Sequence, residues 1–247
     1  MNMTLSPADL HVGHVRDRIA CARALILDVD GTLAETEEAH RQAFNEAFVQ
    51  AGLDWCWGRT VYKDLLRVTG GKERIRAFDR MRQTLGSLSD PEIAELHRIK
   101  TARYVNLIAS GGCPLRPGVA ELLASAKMRG QRLAIATTTS HANIDALLSV
   151  ALGQDWAGRF EVVVAGDDVA QKKPAPDVYL DVLAKLALPG ADCIAFEDSC
   201  NGFFSASRAG IDVVITRSVY FNDEDFSEAL IAVDDLTELS MSKAACL

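Results

Sequence analysis

Two aspartates separated by a single residue follow a short apolar run near the start of the chain. Asp28 and Asp30 come directly after the Leu-Ile-Leu run at 25–27 and are followed by Gly31-Thr32. A continuous apolar run is typical of a strand buried on both faces, and open parallel sheets bind ligands beyond the carboxyl ends of their strands. Two acids placed there could act as a metal-binding nucleophile and its acid/base partner. The alternative is a strand that ends in an Asp-Gly turn with both acids in solvent.

Three further predicted strands also end in groups that are capable of chemistry. Hydroxyl side chains at 137–140 follow one strand, and a Glu-Asp pair at 197–198 follows another. Lys173, within a Lys-Lys-Pro-Ala-Pro-Asp segment, follows a third strand and precedes a helix. Four strand ends therefore bring carboxylates, hydroxyls and an ammonium group to one edge of one sheet, a combination that chance explains poorly.

These groups together favour phosphoryl transfer. Phosphate monoesters resist hydrolysis because their anionic oxygens repel nucleophiles, so catalysis depends on neutralising charge and on positioning. The carboxylates of Asp28 and Asp198, with the Asp30 carbonyl, are oxygen ligands of the kind that Mg²⁺ prefers. Lys173 and the Thr137 hydroxyl could bind phosphate oxygens. One aspartate could then attack phosphorus, while the second protonates the leaving oxygen and later deprotonates water.

The elements that must position these groups alternate between strands and helices. Five candidate strands lie at 24–27, 132–136, 161–165, 192–196 and 212–215. Candidate helices lie at 119–129, 143–152, 177–186, 201–209 and 224–231. This alternation predicts an α/β fold with a Rossmann-like, doubly wound parallel sheet and right-handed crossovers.

One long stretch departs from that alternation and predicts an inserted all-α cap. Apolar residues spaced by three to four predict helices at 40–51, 60–68, 72–85 and 91–108, with no convincing strand among them. The expected hinges lie at 34–37 and 111–117. The expected organisation is an N-terminal extension at 1–22 with one candidate helix, an α/β core domain at 23–37 and 111–247, and a helical cap domain at 38–110.

Composition narrows the class of protein. A formal net charge of −8 argues against binding to nucleic acid or to a membrane surface. No apolar stretch approaches the ~18 residues that span a bilayer, and the N-terminus lacks a secretory-signal pattern. The six cysteines include no CxxC pair, which indicates reduced thiols in the cytoplasm. We expect a cytoplasmic monomer.

Four motifs occur in order along the chain: DxDGT at 28–32, a threonine after the second strand, KPxPD at 173–177 and ED at 197–198. This set resembles the haloacid-dehalogenase superfamily of phosphatases, in which a helical cap follows the first motif. The resemblance implies that Asp28 is the nucleophile and Asp30 the general acid/base. It also implies that Thr137 and Lys173 are the catalytic phosphate ligands.

The same resemblance implies Mg²⁺ as the cofactor. Asp28, the Asp30 carbonyl and Asp198 would hold the ion, with Glu197 as a further ligand or as a support through water. The presence of Asp30 and Asp198 favours the Mg²⁺-dependent phosphatase branch over the dehalogenases that gave the superfamily its name.

Segments in and near the cap carry a more specific resemblance. These segments are LAETEEAH at 33–40, TGGKER at 69–74, HRIK at 97–100 and ATTTS at 136–140. They resemble the CbbY-type phosphatases, which remove phosphate from xylulose-1,5-bisphosphate, an inhibitory by-product of Rubisco. The resemblance implies a small sugar phosphate as the partner and a role in the Calvin cycle. The candidate substrate-binding residues are Glu37, Gly70, Gly71, Lys72, Glu73, Arg74, His97, Arg98, Lys100, Thr138, Thr139 and Ser140.

Each cap candidate has a simpler alternative. Cations at four positions could clamp a second phosphate, namely Lys72, Arg74, Arg98 and Lys100. Arg98 and Lys100 lean to opposite sides of one helix, so we do not expect both to touch ligand. The segment 72–74 could instead be a solvated first turn of a helix. His97 could be an ordinary helix residue, and 138–140 an N-cap cluster.

Two smaller groupings could position the core residues. Thr36 and His40, four residues apart, would share a helical face near the first hinge and could orient Asp30. The alternative for the histidine is a packing or surface role. A carboxylate at 167 or 168 could brace Lys173, with a surface turn as the alternative.

The sequence as a whole predicts a Mg²⁺-dependent phosphatase that acts through an aspartyl-phosphate, with xylulose-1,5-bisphosphate as the favoured substrate. One alternative is a mutase similar to β-phosphoglucomutase, which would return the phosphate to the sugar. A second alternative is a catalytically idle regulatory binding protein, against which the intact acids, threonine and lysine argue.

Overall fold

A six-stranded parallel sheet forms the centre of the protein in the computed structural model, which describes residues 7–82, 87–111 and 113–240. The strands are β1 (Ala24–Leu27), β2 (Arg132–Ala136), β3 (Val162–Val164), β4 (Cys193–Glu197), β5 (Asp212–Thr216) and β6 (Ile231–Val233). Their order across the sheet is β3-β2-β1-β4-β5-β6, and every neighbouring pair is parallel. The predicted doubly wound α/β fold is confirmed.

The helices that accompany the sheet follow in chain order. They are α1 (Pro7–Cys21), α2 (Glu37–Gln50), α3 (Arg59–Leu65), α4 (Gly71–Met81), α5 (Asp90–Gly111), α6 (Val119–Met128), α7 (His141–Leu152), α8 (Asp177–Leu186) and α9 (Cys200–Arg208). Short 3-10 turns lie at Trp156–Arg159, Gly190–Asp192 and Leu236–Leu239. Among the described helices, none combines the length and apolar character needed to cross a membrane. The five cysteines in the described ranges form no disulfide.

Strand β1 is buried on both faces because its side chains alternate between two apolar cores. Leu25 and Leu27 pack in the core that includes residues of α1, α6 and α7. Ala24 and Ile26 pack in the core that includes residues of α8 and α9. The strand lies between β2 and β4, so the loop that follows it emerges at the middle of the sheet's carboxyl edge. This position is where an open parallel sheet binds its ligand.

Helices α2–α5 lie between β1 and β2 in the chain, and they share an apolar core of their own. That core is rich in aromatic side chains, among them Phe44, Phe48, Trp55, Trp57 and Tyr62. Between α2 and α5 the described residues form no strand. The four helices predicted for this stretch are therefore confirmed. Residues 83–85 of the third predicted helix and Gly112 in the second predicted hinge lie outside the described residues, as do 1–6 and 241–247 at the two ends of the predicted domains.

The sequence prediction was wrong near the carboxyl terminus. The pattern predicts a helix at 224–231, but the chain there forms turns and then enters β6, which pairs in parallel with β5. The Leu230 backbone N–H donates to the Val213 carbonyl, so this segment is drawn into the sheet. A short apolar run fits both a helix and an edge strand, and only the open edge of β5 decided between them. The N-terminal helix was predicted correctly.

Arg116 ties three loops together at the carboxyl edge of the sheet. Its guanidinium is buried and donates to the carbonyls of Gly31, Thr216, Arg217 and Asp234. These carbonyls belong to the loop after β1 and to the ends of β5 and β6. From its sequence the Arg-Pro-Gly segment is expected only to be a hinge, because a single arginine carries no signal of the carbonyls that it will meet.

We predict that Arg116→Met destabilises the fold by about 3 kcal/mol, because it leaves several buried carbonyls without donors. Urea unfolding followed by circular dichroism measures the change. Arg129→Met is the matched control, since Arg129 is exposed on the surface beyond α6 and should cost less than about 0.5 kcal/mol. Equal unfolding midpoints for the two variants would contradict the assignment of Arg116 as a structural tie.

Candidate active site

A cavity opens where the carboxyl edge of the sheet faces the helices of the inserted segment. Most of the residues proposed from the sequence line it: Asp28, Asp30, Glu37, His40, Gly70, Gly71, Lys72, Arg74, His97, Lys100, Thr137, Thr138, Thr139, Ser140, Lys173, Glu197 and Asp198. Two of the residues proposed for substrate binding, Glu73 and Arg98, are not part of this lining. The structure therefore brings groups from four strand ends and from α2, α4 and α5 into one space.

The Lys173 ammonium group lies at the centre of the site and is fully enclosed. Nζ is 2.6 Å from Asp28 Oδ1, 2.5 Å from Glu197 Oε1 and 2.9 Å from the Ala136 carbonyl oxygen. Burial opposes the charge, but the two carboxylates outweigh it and raise the pKa of Lys173 above its ordinary value. The three acceptors match the three protons of the ammonium group, so a phosphate oxygen would have to share one of them.

Three buried carboxylates form a compact cluster around that lysine. Asp28, Glu197 and Asp198 each offer one oxygen, and these oxygens lie within 4.8 Å of one another. Burial raises the pKa of Asp28 to about 8, against the opposing effect of Lys173. Burial also raises the pKa of Asp198 well above its usual range, and the charges of Asp28 and Glu197 add to the effect. One ammonium group does not balance this much negative charge.

The cluster has the chemistry of a site for a divalent cation. Asp198 Oδ2 is buried and has no hydrogen-bond partner among the described residues. A buried carboxylate oxygen without a donor is costly unless a cation neutralises it. Hard divalent ions bind to sets of oxygen ligands of this kind. The buried acidic cluster could therefore hold a metal ion.

Gly31 allows the first loop to approach this cluster closely. Its φ of 79° lies in the left-handed region, and a Cβ at this position would lie 1.9 Å from Asp198 Oδ2. Any residue with a side chain would both strain the loop and displace the carboxylate. The glycine of the DxDGT motif is thus explained by the approach of Asp198, which the sequence pattern could not reveal.

Asp30 has an environment opposite to that of Asp28. Its Oδ1 accepts from Thr36 Oγ1 at 2.5 Å and from His40 Nε2 at 3.0 Å. Burial by itself raises the pKa of Asp30, but the charge and hydrogen bond of His40, together with the Thr36 hydrogen bond, hold that pKa well below its usual range. Thr36 and His40 therefore both hold Asp30, as expected from their spacing, and the His40 ring is in addition packed on Tyr104, with ring centroids 4.0 Å apart.

A third group completes this hydrogen-bonded chain. Lys100 Nζ is 2.7 Å from His40 Nδ1. The Lys100–His40 hydrogen bond needs one proton between Nζ and Nδ1, and either atom can carry it. In both arrangements His40 Nε2–H donates to Asp30. Burial lowers the pKa of Lys100 to about 7. The rings of Phe44 and Tyr104, with centroids 4.8 and 5.2 Å from Nζ, provide much of the enclosure.

The cations proposed for a second phosphate divide into two groups. Lys72 and Arg74 line the cavity, and each already has a protein partner: Asp167 at 3.4 Å from Lys72, and the Tyr62 hydroxyl at 3.1 Å from Arg74. Arg98 is not brought to this cavity, because its guanidinium is paired with Glu95 on the exposed face of α5. Helix α5 turns Lys100 inward and Arg98 outward, in agreement with the expectation that both would not touch ligand.

The cavity also contains residues whose sequence context did not mark them as substrate-binding. They are Phe44, Leu66, Thr69, Asn143, Asp167, Lys172, Ser199, Asn201 and Phe221. Lys172 is a further cation at the rim, 3.1 Å from Glu73 Oε2. Its position directly before Lys173 in the sequence could have marked Lys172 as a candidate. The apolar lining residues Phe44, Leu66 and Phe221 have no neighbouring motif that would mark them.

Of the two alternatives for the carboxylates at 167 and 168, a brace for Lys173 or a surface turn, the brace does not form. Asp167 pairs with Lys72, and Asp168 accepts from the Ala165 backbone N–H and contacts His141. Both carboxylates lie after β3, whereas the buried ammonium group donates to acceptors on other strands. Glu197 and Asp28 take the bracing role instead, because they come from neighbouring strand ends at the centre of the sheet.

Comparison with known families gives a consistent result. The family model for haloacid dehalogenase-like hydrolases matches residues 22–210. Protein CbbY of Rhodobacter capsulatus is 57% identical over 216 residues, which cover 87% of this chain and 94% of that protein. The plasmid-encoded CbbY of Cupriavidus necator is 49% identical over 217 residues, which cover 87% of this chain and 85% of that protein.

Solved structures agree with these sequence matches. A CbbY mutant from Rhodobacter sphaeroides, crystallised in complex with xylulose-1,5-bisphosphate, has a TM-score of 0.83 and 45% identity, covering 89% of this chain and all (100%) of that chain. A β-phosphoglucomutase from Clostridium difficile has a TM-score of 0.72 and 22% identity, covering 89% of this chain and 94% of that chain. At that identity the second likeness concerns the fold alone.

We predict that Lys100→Met changes how stability depends on pH. Lys100 has a pKa of about 7 in the folded protein and an ordinary value of 10.5, so the unfolded chain binds more protons between these values. Folding stability contributed by Lys100 therefore rises as pH increases from 7 to 10.5. The wild type should gain roughly 2 kcal/mol relative to Lys100→Met between pH 7 and pH 9.

Denaturant unfolding at the two pH values measures this difference. Lys127→Met is the control, because Lys127 lies exposed on α6 and its replacement should leave the difference from wild type constant. A constant difference for Lys100→Met as well would mean that burial does not act on this ammonium group as described.

Proposed function

The chain belongs to the haloacid dehalogenase-like hydrolases, and from this premise we propose that it is a Mg²⁺-dependent phosphatase acting on xylulose-1,5-bisphosphate. The observation that carries the proposal is the buried Asp28–Lys173 pair within a cluster of three carboxylates at the cavity. A carboxylate beside a fixed ammonium group can attack a phosphate, because the lysine offsets the repulsion between the two anions.

Asp28 is the nucleophile in this proposal. Lys173 holds its Oδ1 at 2.6 Å, which fixes the carboxylate at the end of β1. Attack forms a bond from an Asp28 oxygen to phosphorus and breaks the bond from phosphorus to the sugar oxygen. Water then attacks phosphorus, releases inorganic phosphate and restores the carboxylate. The Thr137 side chain, at the end of β2 and lining the cavity, is placed to hold a phosphate oxygen.

Asp30 moves the protons. It delivers one to the departing sugar oxygen in the first step and takes one from water in the second. The hydrogen bonds from Thr36 and His40 fix its Oδ1 and favour its ionised form, which suits the base role in the second step.

The donor set fits Mg²⁺. Asp28, Asp198 and the Asp30 carbonyl would hold the ion, and the orphaned Asp198 Oδ2 is the observation that supports this set. When bound, Mg²⁺ supplies positive charge that neutralises the carboxylates and the phosphate. Glu197 Oε1 accepts from Lys173, so Glu197 also holds the lysine beside the site for the ion.

The substrate proposal draws on the relatives and on the charge at the rim. A relative with 45% identity was crystallised with xylulose-1,5-bisphosphate. Lys72, Arg74 and Lys172 lie around the cavity and could bind the distal phosphate, in exchange for their present partners. Glu37, which accepts from the Tyr62 hydroxyl at 2.6 Å, could also accept from a sugar hydroxyl.

The remaining candidates and the domain boundaries belong to the same proposal. Gly70, Gly71, His97 and the segment 138–140 line the cavity and would form its polar wall. Residues 38–110 would act as a cap domain that closes over the α/β core at the hinges 34–37 and 111–117, and so exclude water. Glu73 would act through its ion pair with Lys172.

A panel of substrates tests the proposal. With Mg²⁺, xylulose-1,5-bisphosphate should release one equivalent of inorganic phosphate, with a higher kcat/KM than ribulose-1,5-bisphosphate or a hexose 1-phosphate. Conversion of the hexose 1-phosphate to its 6-phosphate without free phosphate would instead establish the mutase. Absence of turnover on every ester, including p-nitrophenyl phosphate, would establish a binding protein.

We predict that Asp28→Asn abolishes turnover, with a loss of at least about 10³-fold in kcat, because an amide does not attack phosphorus. A phosphate-release assay measures it. Asp181→Asn on α8 is the control for an acid-to-amide change away from the site, and it should retain wild-type activity. Near-normal turnover by purified Asp28→Asn protein would refute the covalent role of Asp28.

We predict that Lys72→Met raises the KM for xylulose-1,5-bisphosphate about tenfold, since a charge-assisted contact to the distal phosphate is lost. The KM for p-nitrophenyl phosphate should change less than twofold, because that ester has no second phosphate. Lys63→Met is the control: its ion pair with Asp223 also joins α3 to the core, but it lies outside the cavity lining. Equal changes on both substrates would remove Lys72 from the distal subsite.

A further inference from the structure

Tyr179 lies directly behind the catalytic lysine, although nothing in its sequence position marks it as a functional residue. It belongs to the first turn of α8, and its side chain is fully buried. The phenol hydroxyl donates to Glu197 Oε1. Lys173 Nζ lies over the face of its ring, 5.3 Å from the ring centroid. A single side chain therefore touches both the ammonium group and one of the two carboxylates that hold it.

The same glutamate oxygen serves both donors. Glu197 Oε1 accepts from Tyr179 and, at 2.5 Å, from Lys173. Lys173 is also bonded to Asp28 at 2.6 Å, so one positive charge is shared between two buried carboxylates. The relative strength of these two contacts determines how strongly the ammonium group interacts with Asp28, the group that would attack a phosphate.

The hydrogen bond from Tyr179 to Glu197 weakens the Lys173–Glu197 contact and so favours the contact of Lys173 with Asp28. A carboxylate oxygen that accepts from a hydroxyl has less electron density to offer to a second donor. Without that hydroxyl, Glu197 would have Lys173 as the only described donor to Oε1, and the ammonium group would be drawn toward it. In a buried site this competition is strong, because water does not screen either carboxylate.

The backbone on the other side prevents Glu197 from moving away. A Cβ at Gly202, in the first turn of α9, would lie 1.8 Å from Glu197 Oε2. The carboxylate is therefore confined between the first turn of α9 and the two donors on Oε1.

We propose that Tyr179 is a positioning residue, which holds Glu197 so that the Lys173 ammonium group remains on Asp28. Tyr179 does not line the cavity, so it acts through these two residues and does not touch substrate. The inference rests on the proposed function, because it assigns an effect on the nucleophile and phosphate ligand of that reaction.

Steady-state kinetics of Tyr179→Phe tests the inference. Loss of one hydrogen bond to a buried charged group should lower kcat about tenfold. The KM should stay within about twofold, because the distal contacts to substrate are untouched. Tyr220→Phe is the matched control: it also removes a hydroxyl that donates to a glutamate, here Glu38 at 2.9 Å, but outside the cavity lining. Its kcat should match that of wild type.

A crystal structure of Tyr179→Phe provides a second readout. The distance from Lys173 Nζ to Asp28 Oδ1, 2.6 Å here, should be longer in the variant than in a wild-type crystal structure solved alongside it, with the contact to Glu197 kept. An unchanged kcat, a rise in KM at constant kcat, an unmoved Lys173, or an equal loss in Tyr220→Phe would each overturn the inference.

The assays keep the two proposals distinguishable. All variants are measured on xylulose-1,5-bisphosphate and on p-nitrophenyl phosphate. If the wild type cleaves only the generic ester, the substrate proposal fails while the effect of Tyr179 can still be measured. If the wild type cleaves neither ester, the proposed function fails, and the crystal distance alone decides whether Tyr179 positions Lys173.

Discussion

The structure depends on an ammonium group that is buried among carboxylates. Lys173 lies between Asp28 and Glu197, with Asp198 close by, and all four side chains are buried. Burying charges is costly unless each finds a partner, and here the negative groups exceed the positive one. The site is therefore organised to receive further positive charge, which explains why Asp198 Oδ2 is left without a donor among the described residues. The strand ends, together with the close approach of Gly31 to Asp198 and of Gly202 to Glu197, hold this cluster of excess negative charge together.

Two aspartates separated by one residue acquire opposite properties because different elements surround them. Asp28 faces the sheet edge and its carboxylate neighbours, so burial raises its pKa to about 8. Asp30 faces the inserted helices, where Thr36 and the His40–Lys100 pair hold its pKa well below the usual range. Since Lys100 comes from α5 and His40 from α2, the environment of Asp30 exists only when these helices pack over the core. The inserted helices α2 and α5 are in this way joined to the loop after β1 through one carboxylate.

Much of the fold could be predicted from the sequence, because it depends on local patterns. The apolar run at 24–27 predicted a strand buried on both faces, and β1 is the central neighbour of β2 and β4. Helical spacing predicted α2–α5 between β1 and β2. The prediction failed at 224–231, where β6 is only three residues long and is stabilised by pairing with β5. A strand that short has too little sequence of its own to distinguish it from a helix turn.

The sequence by itself determined which residue types come to the sheet edge, since the groups that follow parallel strands must meet there. The order of strands and motifs was enough to identify Asp28, Asp30, Thr137, Lys173 and Asp198 as neighbours. Only the tertiary structure decided the partner of each group: Lys100 contacts His40, Arg98 pairs with Glu95, and Tyr179 donates to Glu197. The physical reason is that hydrogen bonds and burial change when the distance between elements far apart in the chain changes by a few tenths of an ångström. Local pattern fixes the direction of a side chain along its own helix or strand, whereas the packing of one element on another fixes what that side chain meets.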